Sequence, residues 1–184
     1  DELDEIRKRV EELIKRSEED SREVRRRLEE IIERNRKISR DVEREIEKLI
    51  KDVRDSNTTS EEAKELLKDI RRKLKELVDR LHKIDEDSLR EVERLVKRLK
   101  DKNRDILREL EELARDLRRR LRGEELRRVE EVVKRVRELV ERSKEETDKI
   151  AEDVRRLLKE SNDDTERIKR KVEEMLKELE ERIK

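Results

Sequence analysis

The sequence contains no cysteine, no proline and no aromatic residue, and it has one glycine, one histidine and one methionine in 184 residues. Without cysteine the chain forms no disulfide and no thiolate zinc site, and a single histidine cannot build a histidine-based one. We therefore predict no metal and no other cofactor. No apolar run exceeds two residues, so the sequence predicts no membrane span and no signal-peptide core, and we expect a soluble protein without a targeting signal.

Charged residues dominate what is present. They make up 61% of the chain, with 56 Lys or Arg against 56 Asp or Glu, and only 29% of residues are apolar. An α/β or all-β domain needs an apolar fraction nearer one half, whereas a helical bundle with a narrow seam uses about two positions in seven. Because the net charge is zero and no aromatic side chain is available to stack on a base, we expect no nucleic-acid partner.

The apolar residues repeat every 18 positions, and this periodicity distinguishes the chain from a disordered one of similar composition. Eighteen residues make five turns at ~3.6 residues per turn, so the repeat predicts nearly straight helices rather than a strong supercoil. The set forms a stripe about 100° wide, which a helix can bury in a bundle. Its members in the first and third parts of the chain include Ile6, Val10, Leu13, Ile14; Val24, Leu28, Ile31, Ile32; Val42, Ile46, Leu49, Ile50; and Val132, Val136, Leu139, Val140.

The repeat is interrupted twice, and each interruption carries helix-end signals. Residues 55–60 are rich in turn and cap residues, and Thr59 with Glu62 has the form of a capping box. Gly123 follows an arginine-rich stretch and suits the left-handed position after a helix end. The fold class predicted is all-α: an up-down-up antiparallel three-helix bundle, forming a single domain over 1–184, with helices at about 3–54, 61–122 and 124–183.

Two further stretches, 85–88 and 161–164, are also composed of turn-forming residues. If they were loops, the chain would contain more and shorter helices. The repeat passes through both without a shift of phase, which an inserted loop would rarely preserve. We therefore expect the second and third helices to be continuous.

Some positions inside the apolar stripe are polar, and they fall into two groups that are 18 residues apart. A buried polar group without a partner costs about 1–3 kcal/mol, so grouped polar residues are favoured because they can bond to one another. The first predicted polar layer contains Ser17, Ser21, Asn103, Ser143 and Thr147, and the second contains Asn35, Ser39, Asp85, Ser88, Ser161 and Thr165.

Helix pairing brings the members of each group together. Folding about Gly123 pairs residues whose numbers sum to about 246, such as Asn103 with Ser143 and Asp85 with Ser161. To complete the same layers, facing residues of the first two helices must have residue numbers that sum to about 120. The midpoint of the first connection indicates a sum of about 115 instead, a difference of roughly one helical turn.

Two interpretations of these layers remain. They could form an internal site for a ligand, an ion or a proton, or they could be hydrogen-bond networks that specify helix register. We favour the second. When one helix slides by 18 residues, its apolar positions meet almost the same pattern again, so the apolar residues alone do not specify the register. As a buried carboxylate, Asp85 requires a hydrogen-bond donor or a cation, which His82 or an arginine from a neighbouring helix could supply. We expect Asn35→Leu to preserve helix content and to raise or barely change stability while loosening register.

The whole chain resembles computationally designed, parametric helical bundles. The features that carry the resemblance are the 18-residue repeat, an aromatic-free core of Leu, Ile and Val, a surface of Glu, Lys and Arg, and the polar layers. Spectrin-type repeats are shorter and usually carry a core tryptophan, and single-helix rods of similar composition lack an apolar stripe.

The resemblance implies a structural scaffold with no natural biochemical activity, no catalytic residue and no required partner. The alternative is a self-assembling or switchable helix-interaction module. A stripe of this width is just enough for three helices, so a monomer is favoured, although a homo-oligomer is possible. An enzyme would show an activity that is lost in Asp85→Asn, which we do not expect.

Overall fold

The computed structural model describes residues 2–55 and 60–183, and the chain is all-α over these ranges. Helix α1 spans Glu2–Asp55, α2 spans Ser60–Arg120, and α3 spans Gly123–Ile183. Long runs of Leu, Glu, Lys and Arg, with no proline, favour such helices. The proposed capping residue Thr59 lies outside the described residues.

The two stretches that are rich in turn-forming residues are both helical. Residues 85–88 lie within α2 and residues 161–164 within α3. The prediction of continuous helices is confirmed at these places. Ser, Asp and Asn disfavour a helix interior only weakly, and packing of the stripe on either side outweighs that preference.

The α2–α3 connection is tight, and Gly123 makes it possible. The last helical turn of α2 closes with a hydrogen bond from the backbone N of Leu121 to the carbonyl O of Leu117 at 2.8 Å. Gly123 follows with a φ of 64°, a left-handed value that glycine adopts without steric penalty. The Arg118 guanidinium donates to both carboxylate oxygens of Glu130, at 2.5 and 3.2 Å, joining α2 to α3 near the connection.

The chain divides into two compact units, each built from a stretch of all three helices. The first contains residues 1–29 and 91–154, and the second contains residues 30–90 and 155–184. Each unit is described separately below.

In the first unit, ion pairs and hydrogen bonds give the helix directions. Partners in α1 and α2 run in opposite senses: Arg16 bonds to Glu109 at 2.8 Å, and Asp20 accepts from Lys102 at 3.3 Å. Partners in α1 and α3 run in the same sense, since Ser21 bonds to Ser143 and Arg25 lies 3.6 Å from Glu146. The arrangement is up-down-up. The apolar core comprises Val10, Leu13, Ile106, Leu110, Leu113, Ala114, Leu117, Val133, Val136 and Val140.

The second unit has the same up-down-up order. Asn35 of α1 bonds to Asp85 of α2, and Arg71 near the start of α2 bonds to Glu180 near the end of α3 at 2.7 Å. The residue numbers of the α1–α2 partners Asn35 and Asp85 sum to 120, the sum that the polar layers required. The midpoint of the α1–α2 connection had indicated a sum of about 115. The core comprises Val42, Ile46, Leu67, Ile70, Leu74, Val78, Leu81, Val172 and Leu176.

One part of the predicted stripe is displaced in the structure. Val132 and Leu139, which the repeat placed on the buried face, are 40% and 43% exposed, and Val133 is buried beside Val136 and Val140. Because Val132 and Val133 are adjacent, the repeat alone does not show which of them faces the core. In the structure Val133 is buried.

No helix within the described ranges combines the length and the apolar character needed to cross a membrane.

Candidate functional site

The first polar layer lies in the first unit and is largely buried. Ser21 and Thr147 are almost inaccessible, Ser17 and Asn103 are buried, and Ser143 is half-buried. All five are helical residues whose positions follow the apolar repeat, so the helices turn them toward the core as they do the neighbouring Leu and Val residues.

Hydrogen bonding in this layer is incomplete. The hydroxyl groups of Ser21 and Ser143 bond to each other, joining α1 to α3. Thr147 Oγ1 donates to the carbonyl O of Ser143, one turn earlier on its own helix, at 2.9 Å. Asn103 of α2 differs from them, because neither its Nδ2 nor its Oδ1 has a hydrogen-bond partner among the described residues.

The second polar layer lies in the second unit and centres on Asn35. Its Nδ2 donates to Asp85 Oδ1 at 3.0 Å, and its Oδ1 accepts from Ser88 Oγ at 2.7 Å. The three side chains are buried. Both ends of this amide are therefore bonded to α2.

The α3 side of the second layer is bonded more weakly. Ser161 Oγ donates to Asp85 Oδ1 at 3.5 Å, and Thr165 Oγ1 donates to the carbonyl O of Ser161 at 2.9 Å. Ser161 and Ser39 are half-buried, whereas Thr165 is buried. Through Asp85 the network includes side chains from α1, α2 and α3.

Asp85 is the charged member of the second layer. Oδ1 accepts two hydrogen bonds, while Oδ2 is buried with no partner among the described residues. Burial raises the pKa of the Asp85 carboxyl from 3.8 to about 6, although the nearby charge of His82 and the hydrogen bond from Ser161 act to lower the pKa. The carboxyl can therefore exchange a proton in the mildly acidic range.

His82 lies one turn before Asp85 and joins α2 to α3. Its Nδ1 lies 2.5 Å from Asn162 Oδ1, and its Nε2 lies 2.7 Å from Glu166 Oε1. Both partners are oxygen atoms, which can accept hydrogen bonds from ring N–H groups. The hydrogen-bond donors to Asp85 are Asn35 and Ser161, not histidine or arginine. His82 acts on Asp85 through its charge, which is one of the two roles expected from the sequence.

The described residues contain no cluster of three or more His, Asp or Glu side chains arranged to hold a metal ion. What the second layer can do chemically is bind a proton at Asp85 and join side chains of three helices through hydrogen bonds. The first layer contains a buried amide, that of Asn103, with no hydrogen-bond partner among the described residues.

Comparison with solved structures finds similar chains. One of them, described as a computationally designed three-helix bundle, is 18% identical, over 98% of this chain and 84% of that chain, with a TM-score of 0.43. No protein-family model and no curated protein matches the sequence.

The two partners of His82, Asn162 and Glu166, were not identified from the sequence. The pairing rule for α2 and α3 places His82 opposite residue 164, midway between them, and they lie one turn apart on α3. The rule could have found them. They were missed because His82 was considered only as a partner of Asp85.

Proposed function

We propose that this chain is a structural scaffold, forming one three-helix bundle over 1–184, and that its polar layers specify the register of the helices. The observation that carries the proposal is that the amide of Asn35 is bonded at both ends, to Asp85 and to Ser88. Hydrogen bonds have narrow distance and angle limits, whereas apolar contacts do not. A helix that slides along a repeating apolar stripe keeps its hydrophobic contacts but loses these bonds.

The energetic argument concerns the alternative registers. Sliding α1 would bury Asn35 and Asp85 against apolar side chains, and each unpaired group would cost about 1–3 kcal/mol. The native register is therefore favoured because slipped registers are destabilised by unpaired polar groups in the core. This use of buried polar groups is best supported in coiled coils, where one polar core position specifies register.

Spin-label distances test the proposal directly. The sequence has no cysteine, so Glu45→Cys and Lys75→Cys, on exposed positions of α1 and α2 within the second unit, accept labels without competition. A slip of one repeat would displace α1 by about 27 Å along its axis and a slip of one turn by about 5 Å. We expect one narrow distance distribution in the parent chain and a second or broadened population in the Asn35→Leu/Asp85→Leu double variant.

The matched control is Arg36→Leu/Glu86→Leu, which adds the same two leucines at adjacent exposed positions. It should retain the narrow distribution. If the core double variant also keeps one unchanged distance, the second layer does not specify register, and the scaffold would depend on its connections alone.

A second candidate, self-association with another copy of the chain, is favoured by one observation. Val132 and Leu139 lie seven residues apart on α3, so they share a helix face, and both are well exposed. Sedimentation equilibrium distinguishes a monomer of 22.7 kDa from a dimer of twice that mass. If a dimer is found, Val132→Lys/Leu139→Lys should dissociate it, and a variant that remains dimeric would exclude this face.

A further inference from the structure

The two core asparagines have opposite hydrogen-bonding states. Asn35 is bonded at both ends of its amide. Asn103 is 3% exposed, and neither end is bonded within the described part of the chain. Buried amides in proteins nearly always have partners, so the surroundings of Asn103 call for one.

The 18-residue repeat shows why the partner differs between layers. Ser17 occupies in the first layer the position that Asn35 occupies in the second, just as Asn103 corresponds to Asp85. Serine has two fewer side-chain heavy atoms than asparagine. The first layer therefore lacks the amide that bonds to α2 in the second layer, and the serine that replaces it is smaller by roughly the volume of one water molecule, ~30 Å³.

A groove between α1 and α3 reaches this layer. It has a volume of about 210 Å³, and its lining includes Ser17 and Ser143 together with the exposed residues Glu18, Leu139 and Arg142. One end of the lining thus belongs to the buried layer and the other to the solvent-exposed surface. Water in such a groove can reach hydroxyl groups of the core.

We propose that the first polar layer is an internal hydration site, in which water molecules bind the Asn103 amide and bridge it to the hydroxyl groups of Ser17 and Ser143. A buried water molecule needs two to four polar partners. The layer supplies an amide donor, an amide acceptor and two hydroxyl groups. This inference does not depend on the register function, because hydration could satisfy Asn103 in a bundle whose register is set elsewhere.

Side-chain amide NMR tests the site in the full-length protein. The sequence contains four asparagines and no glutamine, so a ¹⁵N-labelled sample shows only four NH₂ pairs, and Asn103→Leu and Asn35→Leu assign the two core pairs. We expect dipolar cross-relaxation between the Asn103 NH₂ protons and water of long residence time, with none for Asn35. Rotating-frame measurements separate this effect from chemical exchange by its sign.

Exchanging the residues of the two layers provides the matched variants. Ser17→Asn supplies the missing amide and should abolish the water signal at Asn103 while raising the midpoint of thermal unfolding. Asn35→Ser should create a water signal in the second layer and lower that midpoint. If the Asn103 NH₂ protons in the parent chain show contacts to Ser17 or Ser143 and none to water, or if Ser17→Asn leaves a water signal unchanged, the hydration site is excluded.

Discussion

A carboxylate in a helical core must be neutralised by donors or by a proton, and Asp85 has donors on only one of its two oxygens. The hydrogen bonds to one oxygen compensate only in part for the burial of the charged carboxylate. Burial therefore still favours the protonated form. The neighbouring titratable groups on α2 and α3 are His82 and Glu166, which face each other. Solution pH can act on this core through Asp85.

The raised pKa has a definite consequence for stability. Because burial raises the Asp85 pKa from 3.8 to about 6, the folded state binds a proton more tightly than the unfolded state. The resulting contribution to stability is fully present below the unfolded pKa and is lost as pH rises through about 6. At about 1.4 kcal/mol per pKa unit, it amounts to at most about 3 kcal/mol.

Asp85→Asn should remove this dependence. We expect the variant to gain stability relative to the parent chain between pH 5 and pH 7, by on the order of 1–3 kcal/mol. Urea unfolding at several pH values measures the difference between the two proteins, in which the other titrating groups largely cancel. A difference that stays constant over this range would show that Asp85 keeps an ordinary pKa.

Asn35 gives a second prediction, and the contacts change its expected sign. The sequence suggested that Asn35→Leu would be neutral or stabilising, but the substitution leaves Asp85 Oδ1 and Ser88 Oγ without their main partner. We therefore expect a loss of about 1–3 kcal/mol. The Asn35→Leu/Asp85→Leu double variant removes the charged partner as well and should recover most of that loss. Chemical denaturation of both variants decides the matter, and equal losses would contradict the explanation.

At the scale of the helices, local sequence is enough to begin and end each one, and the buried stripe is enough to keep it intact. Residues 85–88 and 161–164 remain helical within α2 and α3 although their composition resembles a turn. The α2–α3 connection, by contrast, depends on one residue. Gly123 has a left-handed φ of 64°, and a Cβ placed there would meet no atom within 4 Å.

Substitution of Gly123 should therefore have a purely conformational cost. We expect Gly123→Ala to lower the free energy of unfolding by about 1–2 kcal/mol, because alanine is strained in the left-handed region. Gly123→Asn should cost less, since asparagine visits that region more readily. Thermal unfolding of the two variants measures the order, and equal costs would point to a lost contact rather than to backbone strain.

At the scale of the whole molecule, the surface is highly charged and the core is thin. Ion pairs such as Arg71–Glu180 join neighbouring helices, but their side chains are 44% and 47% exposed. Exposed pairs contribute at most about 1 kcal/mol each and are weakened by salt. The buried stripe must therefore supply most of the stability.

A pair of alanine substitutions in α2 separates the two contributions. Arg71→Ala removes the exposed pair and should cost under about 1 kcal/mol. Leu74→Ala, three residues later and buried, should cost about 2–5 kcal/mol because it leaves a cavity. Denaturant midpoints of the two variants provide the comparison, and a larger loss for Arg71→Ala would show that the charged surface carries more of the stability than burial does.

The positions of the helices and most of the buried polar residues could be predicted from the sequence, because both follow from a repeat that is local. The bonding between those polar residues could not. Asn35 and Asn103 are both asparagines at polar positions of the stripe, yet one is bonded at both ends and the other at neither among the described residues. The difference depends on whether the facing residue on another helix is long enough to reach.

By itself, the sequence determined where the helices lie along the chain and which side of each is apolar, since rise and rotation per residue are properties of a single helix. Tertiary structure decided between the two α1–α2 registers that the sequence indicated. It alone decided the exposure of Val132 and Leu139 and the hydrogen-bond partners of Asp85 and His82. These features depend on the distance between side chains that are remote in sequence, and that distance exists only once the helices have packed.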